Sequence, residues 1–231
     1  MEKRGISHIE IVVSFVLFIG FLIFGLYFFN PLSNERVLGS SLFYTIDAIS
    51  DNASATLVVY AIVIDAGIEN EVAIPLAKGP AGGDGVRVET TTGEKLDSNY
   101  DEERVAFNRK LNEFVFVKFG AFPYQGKIVN PVILDENNFS ISSSDIKDVL
   151  SEQLLLSLRD AYVNNYEQVR EDFNLPRRID FSFSVVFSTE DKIDALKTIP
   201  QGIEVFSETK RVEVTRLDGS TAFADLIVKI W

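Results

Sequence analysis

The chain has 231 residues, 46% of them hydrophobic, so it can bury a sizeable core and is not broadly disordered. Its net charge of -12 repels phosphate backbones, and no nucleic-acid partner is expected. Cysteine is absent and His8 is the only histidine. Disulfide frameworks, zinc–thiolate sites, cysteine nucleophiles and Ser–His chemistry in the body of the protein are thereby excluded.

Residues 11–29 read IVVSFVLFIGFLIFGLYFF, an uncharged run interrupted only by Ser14, Gly20 and Gly25. As a helix the run is about 28 Å long and apolar on every side, which predicts a transmembrane helix. Lys3 and Arg4 precede it. The positive-inside rule then predicts a single-pass membrane protein with its N-terminus in the cytoplasm and its C-terminal domain outside the cell. The run is too long, and its end too bulky, for an ordinary cleaved secretory signal.

The segment ahead of the run, Lys3-Arg4-Gly5-Ile6-Ser7-His8-Ile9-Glu10, resembles the class III signal peptide of type IV pilins, and Ile6 brings it closer to the archaeal members. The resemblance covers about the first 30 residues. It implies processing between Arg4-Gly5 and Ile6 by a prepilin-peptidase-like enzyme, with Ile6 as the new N-terminus. It places Glu10 at the fifth mature position. There it would pair with the Ile6 amine of the next subunit, so that neither charge stays uncompensated in an apolar bundle. Partners implied are the membrane and other pilin-like subunits, in a homo- or hetero-oligomer that forms a surface filament.

Asn30-Pro31 predicts a break, and residues 31–56 a stalk or short helix carrying Leu42, Phe43, Ile46 and Ile49 on one face. The continuous β-branched run 57–64 predicts a buried strand, with further strands at 72–76, 86–91, 112–119 and 127–134. Residues 78–85 and 92–103 read as turn-rich loops. Asp97, Asn99 and Asp101 have the first spacings of a calcium loop, but Glu102 stands where glycine is needed, and no metal site is expected. Asn52-Ala53-Ser54 and Asn138-Phe139-Ser140 have the form of glycosylation acceptors at Asn52 and Asn138.

Ser143 or Ser144 is the expected N-cap of one long amphipathic helix. Ile146, Val149, Leu150, Leu154, Leu158, Ala161, Tyr162, Tyr166, Val169 and Phe173 carry its face for about seven turns, to Pro176. Strands follow at 179–188, 203–217 and 221–231, the last two joined at Asp218-Gly219.

The fold class expected is α+β: an N-terminal transmembrane helix, then an exterior, mostly antiparallel sheet domain with one long amphipathic helix. Its parts are residues 1–30, 31–56, 57–136 and 137–231. The expected function is that of a pilin-like, membrane-anchored structural or adhesive subunit assembling through its N-terminal helix. The alternative is a signal-anchored extracellular binding module that forms no filaments. No catalytic residue and no cofactor are assigned, and enzymatic activity is not expected.

Overall fold

A computed structural model describes residues 8–28, 32–77, 83, 85–123, 126, 130–188 and 191–231. The chain divides into two compact units, Met1–Ser41 and Leu42–Trp231.

The first unit holds α1 (His8–Phe28) and the start of α2 (Leu32–Ala53). Among the described residues no helix is long and apolar enough to cross a membrane. The described side chains of α1, residues 10–25, begin with the charged Glu10 and extend about 24 Å at 1.5 Å per residue, short of the roughly 30 Å of hydrocarbon to be spanned. This overturns the expected transmembrane helix, and with it the single-pass anchor, the cytoplasmic N-terminus and the extracellular C-terminal domain.

The second unit opens with the C-terminal half of α2. Leu42, Thr45, Ile46, Ile49 and Ala53 recur at helical spacing and are buried, while Phe43 and Tyr44 are exposed. The strands in chain order are β1 (Ser54–Ile64), β2 (Glu71–Pro75), β3 (Gly85–Thr90), β4 (Lys95–Leu96), β5 (Ser98–Tyr100), β6 (Arg104–Asn108), β7 (Phe114–Gly120), β8 (Val132–Ile133) and β9 (Phe139–Ser151). Helices α3 (Glu152–Asn164) and α4 (Tyr166–Asp172) follow, then β10 (Phe181–Phe187), β11 (Lys192–Ala195), β12 (Phe206–Thr215) and β13 (Thr221–Ile230).

A nine-stranded sheet runs β11-β10-β13-β12-β9-β1-β7-β3-β4, and a four-stranded sheet runs β5-β6-β2-β8. Neighbouring strands are antiparallel except β12 with β9 and β2 with β8. Strand alternation explains how the two sheets pack. Val58, Ile62 and Ile64 of β1, Val115, Val117 and Phe119 of β7, and Val86 and Val88 of β3 all point one way. They meet Val72 and Ile74 of β2 and Val105 and Phe107 of β6 in one dry core. A second apolar region gathers where α3 and α4 lie near β10 and β11. There Tyr162 meets Phe181 and Phe183 edge-on, at 5.2 and 6.0 Å between ring centroids.

The long helix expected from Ser143 is not formed over its first part. Residues 139–151 are instead β9, laddered to β1 from Ser54↔Leu150 to Ile64↔Phe139. Ser151 is the true N-cap: its hydroxyl accepts from the Leu154 N–H at 3.4 Å. Asn165, at φ -149° and ψ 63°, then interrupts the helix between α3 and α4. The expectation of an α+β chain with a spanning helix and one long amphipathic helix is thus replaced by a mixed α/β fold on a nine-stranded sheet.

Candidate functional site

Helix α1 has no polar side to turn toward water. From Ile11 to Phe24 only Ser14 and Gly20 break a surface of large apolar side chains, whose exposure runs from 38% at Ile19 to 72% at Phe21. An exposed apolar surface of this kind marks an association site, since burying each such side chain is worth about 1.5–3 kcal/mol. Glu10 stands exposed in the first turn of α1, the end of a helix that favours negative charge.

Of the residues singled out for processing, Arg4, Gly5 and Ile6 lie outside the described residues. Asn52 is exposed in the last turn of α2, where its side-chain amide donates to the Ala48 carbonyl at 2.8 Å. Asn138 is half-buried in the turn before β9, with its N–H on the Asp135 carbonyl and its own carbonyl taking the Asp65 N–H. The two asparagines sit at opposite ends of the β1–β9 ladder, so the fold does not bring them together. Asp97 to Asp101 does not form a calcium loop. Ser98–Tyr100 is a strand, and Asp101 Oδ1 accepts the N–H groups of Glu103 and Arg104 in a tight turn. Among the described residues no group of three or more His, Cys, Asp or Glu could hold a metal ion.

Three charged clusters in the second unit escaped the sequence reading. Arg87, Glu89 and Lys118 lie on the face of β3 and β7 opposite the dry core, and all three are buried. Glu89 receives Arg87 Nε at 2.9 Å and Lys118 Nζ at 2.6 Å. Arg87 Nη1 also donates to the Asp218 carbonyl at 2.9 Å, closing this face with the β12–β13 hairpin. Burial works to raise the Asp218 carboxyl. The hydroxyl and N–H of Ser220, with the charges of Arg87 and Lys95, outweigh burial and hold it below the usual range. The available signal was charge alternating with valine in Val86-Arg87-Val88-Glu89.

Around Arg216 there is a cleft of about 420 Å³, lined also by Glu152, Phe187, Asp191 and Asp218. The guanidinium lies 3.1 Å from Glu152, 3.2 Å from Asp191 and 4.1 Å from the Phe187 ring centre, so its charge is paired within the fold. The third cluster centres on Asp180. It accepts from Lys197 Nζ and Tyr166 Oη, each at 2.7 Å, and Tyr166 Oη in turn receives the Phe181 N–H. Burial raises the Tyr162 and Tyr166 phenols well above their ordinary values, so both stay protonated donors. These clusters join helices, strands and hairpins.

Comparison of the chain with protein-family models, with curated proteins and with solved structures gives no match.

Proposed function

We propose that the chain is a pilin-like structural subunit that assembles through α1. The observation that carries this reading is the apolar surface from Ile11 to Phe24, exposed on every side of the helix. A helix that is hydrophobic all round is stable when other apolar surface surrounds it. The α1 of a second copy supplies that surface at matching length. Interlocked side chains then gain the burial and dispersion that the lone helix lacks.

The residues ahead of α1 support the same reading. Their resemblance to a class III signal implies that a prepilin-peptidase-like enzyme cuts after Gly5. The freed amine of Ile6 is a cation that Glu10 of a neighbouring copy can pair with inside the bundle. Glu10 thereby sets the register between copies, and the second unit is the part each copy displays.

Sedimentation velocity of the full chain tests the proposal. The expected result is a large assembly for the native sequence and a species near 25.9 kDa once Phe15→Glu and Leu22→Glu are combined. Thermal melting of the second unit stays unchanged. Glu10→Ala is expected to reduce assembly in material whose terminal peptide starts at Ile6. Native chain that sediments as a monomer, or a double variant that assembles as before, would overturn the reading.

A further inference from the structure

The outer face of the four-stranded sheet carries a concavity of about 290 Å³. Its floor follows from strand register. Asn99 is opposite Ala106, Ala106 opposite Ala73, and Ala73 opposite Ile133, a single row across β5, β6, β2 and β8. Alternation sends Val72, Ile74, Val105 and Phe107 into the core and leaves this row on the other face. Two alanines in its middle make a shallow floor, and Ile133 with Pro131 raises an apolar wall.

Polar groups close the remaining sides. Arg104 lies two residues before Ala106 on the same face and is half-buried. Its backbone N–H is bound by Asp101 Oδ1 at 2.7 Å, but its guanidinium has no ion pair or hydrogen bond among the described residues. The Asn99 side-chain amide is likewise without a partner among them. Asp101 faces the same cavity. Its Oδ1 is used by the tight turn, and none of the described residues bonds its Oδ2. The contrast with the Arg216 cleft is chemical: there the cation is already paired, whereas here a half-buried arginine, an amide and one carboxylate oxygen have no partner among the described residues.

We propose that this cavity binds a small zwitterion with an apolar body, the chemistry of a free aliphatic α-amino acid. The ligand carboxylate meets the planar donors of Arg104 and the Asn99 amide. The ammonium meets Asp101. The aliphatic body lies on Ala73 and Ala106 against Ile133 and Pro131. A simple anion would face the Asp101 carboxylate, and a simple cation the Arg104 guanidinium, so only a ligand carrying both charges satisfies the set. The volume sits at the lower end for ligand pockets and suits a molecule of this size. The inference stands apart from the assembly reading, since it rests on the second unit alone.

The test is titration of the full chain with three probes, L-leucine, 4-methylpentanoate and 3-methylbutylamine, followed by isothermal calorimetry. The last two lack the ammonium and the carboxylate respectively. Leucine is expected to bind saturably at millimolar concentration, with each analogue at least about tenfold weaker. Arg104→Gln is expected to weaken leucine by more than about tenfold while leaving the melting temperature in place, because its guanidinium bonds none of the described residues. Asp101→Asn is expected to weaken leucine and spare 4-methylpentanoate. No saturable binding of leucine, equal affinity for leucine and either analogue, or full affinity in Arg104→Gln would each overturn the proposal. The analogue series on the native chain decides the matter even where a variant folds poorly.

Discussion

Glu89 holds two cations in a place water scarcely reaches: its side chain is 11% exposed, beside Arg87 at 6% and Lys118 at 10%. Removing its charge leaves the buried Lys118 without an ion pair among the described residues, and leaves Arg87 with Asp218 alone, 3.2 Å from its Nη1. Glu89→Gln is therefore expected to destabilise the second unit by about 3–5 kcal/mol, read as a lower urea midpoint. A loss under about 1 kcal/mol would mean that water reaches the cluster. Asp180 gives a pH prediction. Burial pushes its carboxyl up, but the hydrogen bonds from Lys197 and Tyr166 and the charges of Lys197 and Arg170 prevail, so its folded value lies below the ordinary one. A depressed carboxylate stabilises the fold fully above its unfolded value of about 3.9 and loses that contribution as pH falls through the folded value. Melting temperature followed from neutral to strongly acidic pH should fall less steeply below about pH 4 in Asp180→Asn than in the native chain. Identical acid limbs would contradict the assignment.

The segment 139–151 separates two element-scale readings. As a strand it leaves Ile146 at 62% exposure while burying Val149 and Leu150. Ile146→Lys should accordingly shift stability by less than about 0.5 kcal/mol, and Leu150→Ala should cost about 2–4 kcal/mol in urea unfolding. A large loss for Ile146→Lys would restore the amphipathic helix over these residues. Ser151→Ala removes the cap of α3 and the bond to the Ala121 carbonyl, and should cost about 1–2 kcal/mol by the same measurement. The misreading here has a physical source. Ile146, Val149 and Leu150 satisfy helical spacing, and the ladder with β1, a contact between residues about 90 apart in sequence, decides against it. The runs 57–64, 112–119 and 221–231 were legible because β-branched and aromatic residues concentrate there and turn residues bound them. β5 and β11 were not, because Ser98–Tyr100 and Lys192–Ala195 are short and polar and owe their extension to a neighbouring strand. The cavity on the outer sheet was equally hidden: Asn99, Ala106, Ala73 and Ile133 join one row only through pairing register.

At the scale of the whole molecule, the legible feature was the apolar N-terminal run, and the misread one was its purpose. Hydropathy gave its extent, and the length test then removed the membrane-crossing role. A helix exposing Phe, Leu, Ile and Val on every side still requires cover, and the proposal supplies it from other copies of the chain. Cysteine is absent from the sequence, so an introduced thiol reports one position without background. The most direct measurement is oxidative cross-linking of the purified full chain carrying Phe18→Cys or Leu22→Cys, with Leu111→Cys, at 73% exposure in the second unit, as reference. Assembly through α1 predicts that both helix positions convert largely to covalent dimers while Leu111→Cys stays monomeric at the same protein concentration. Helix cysteines that cross-link no faster than Leu111→Cys would contradict it.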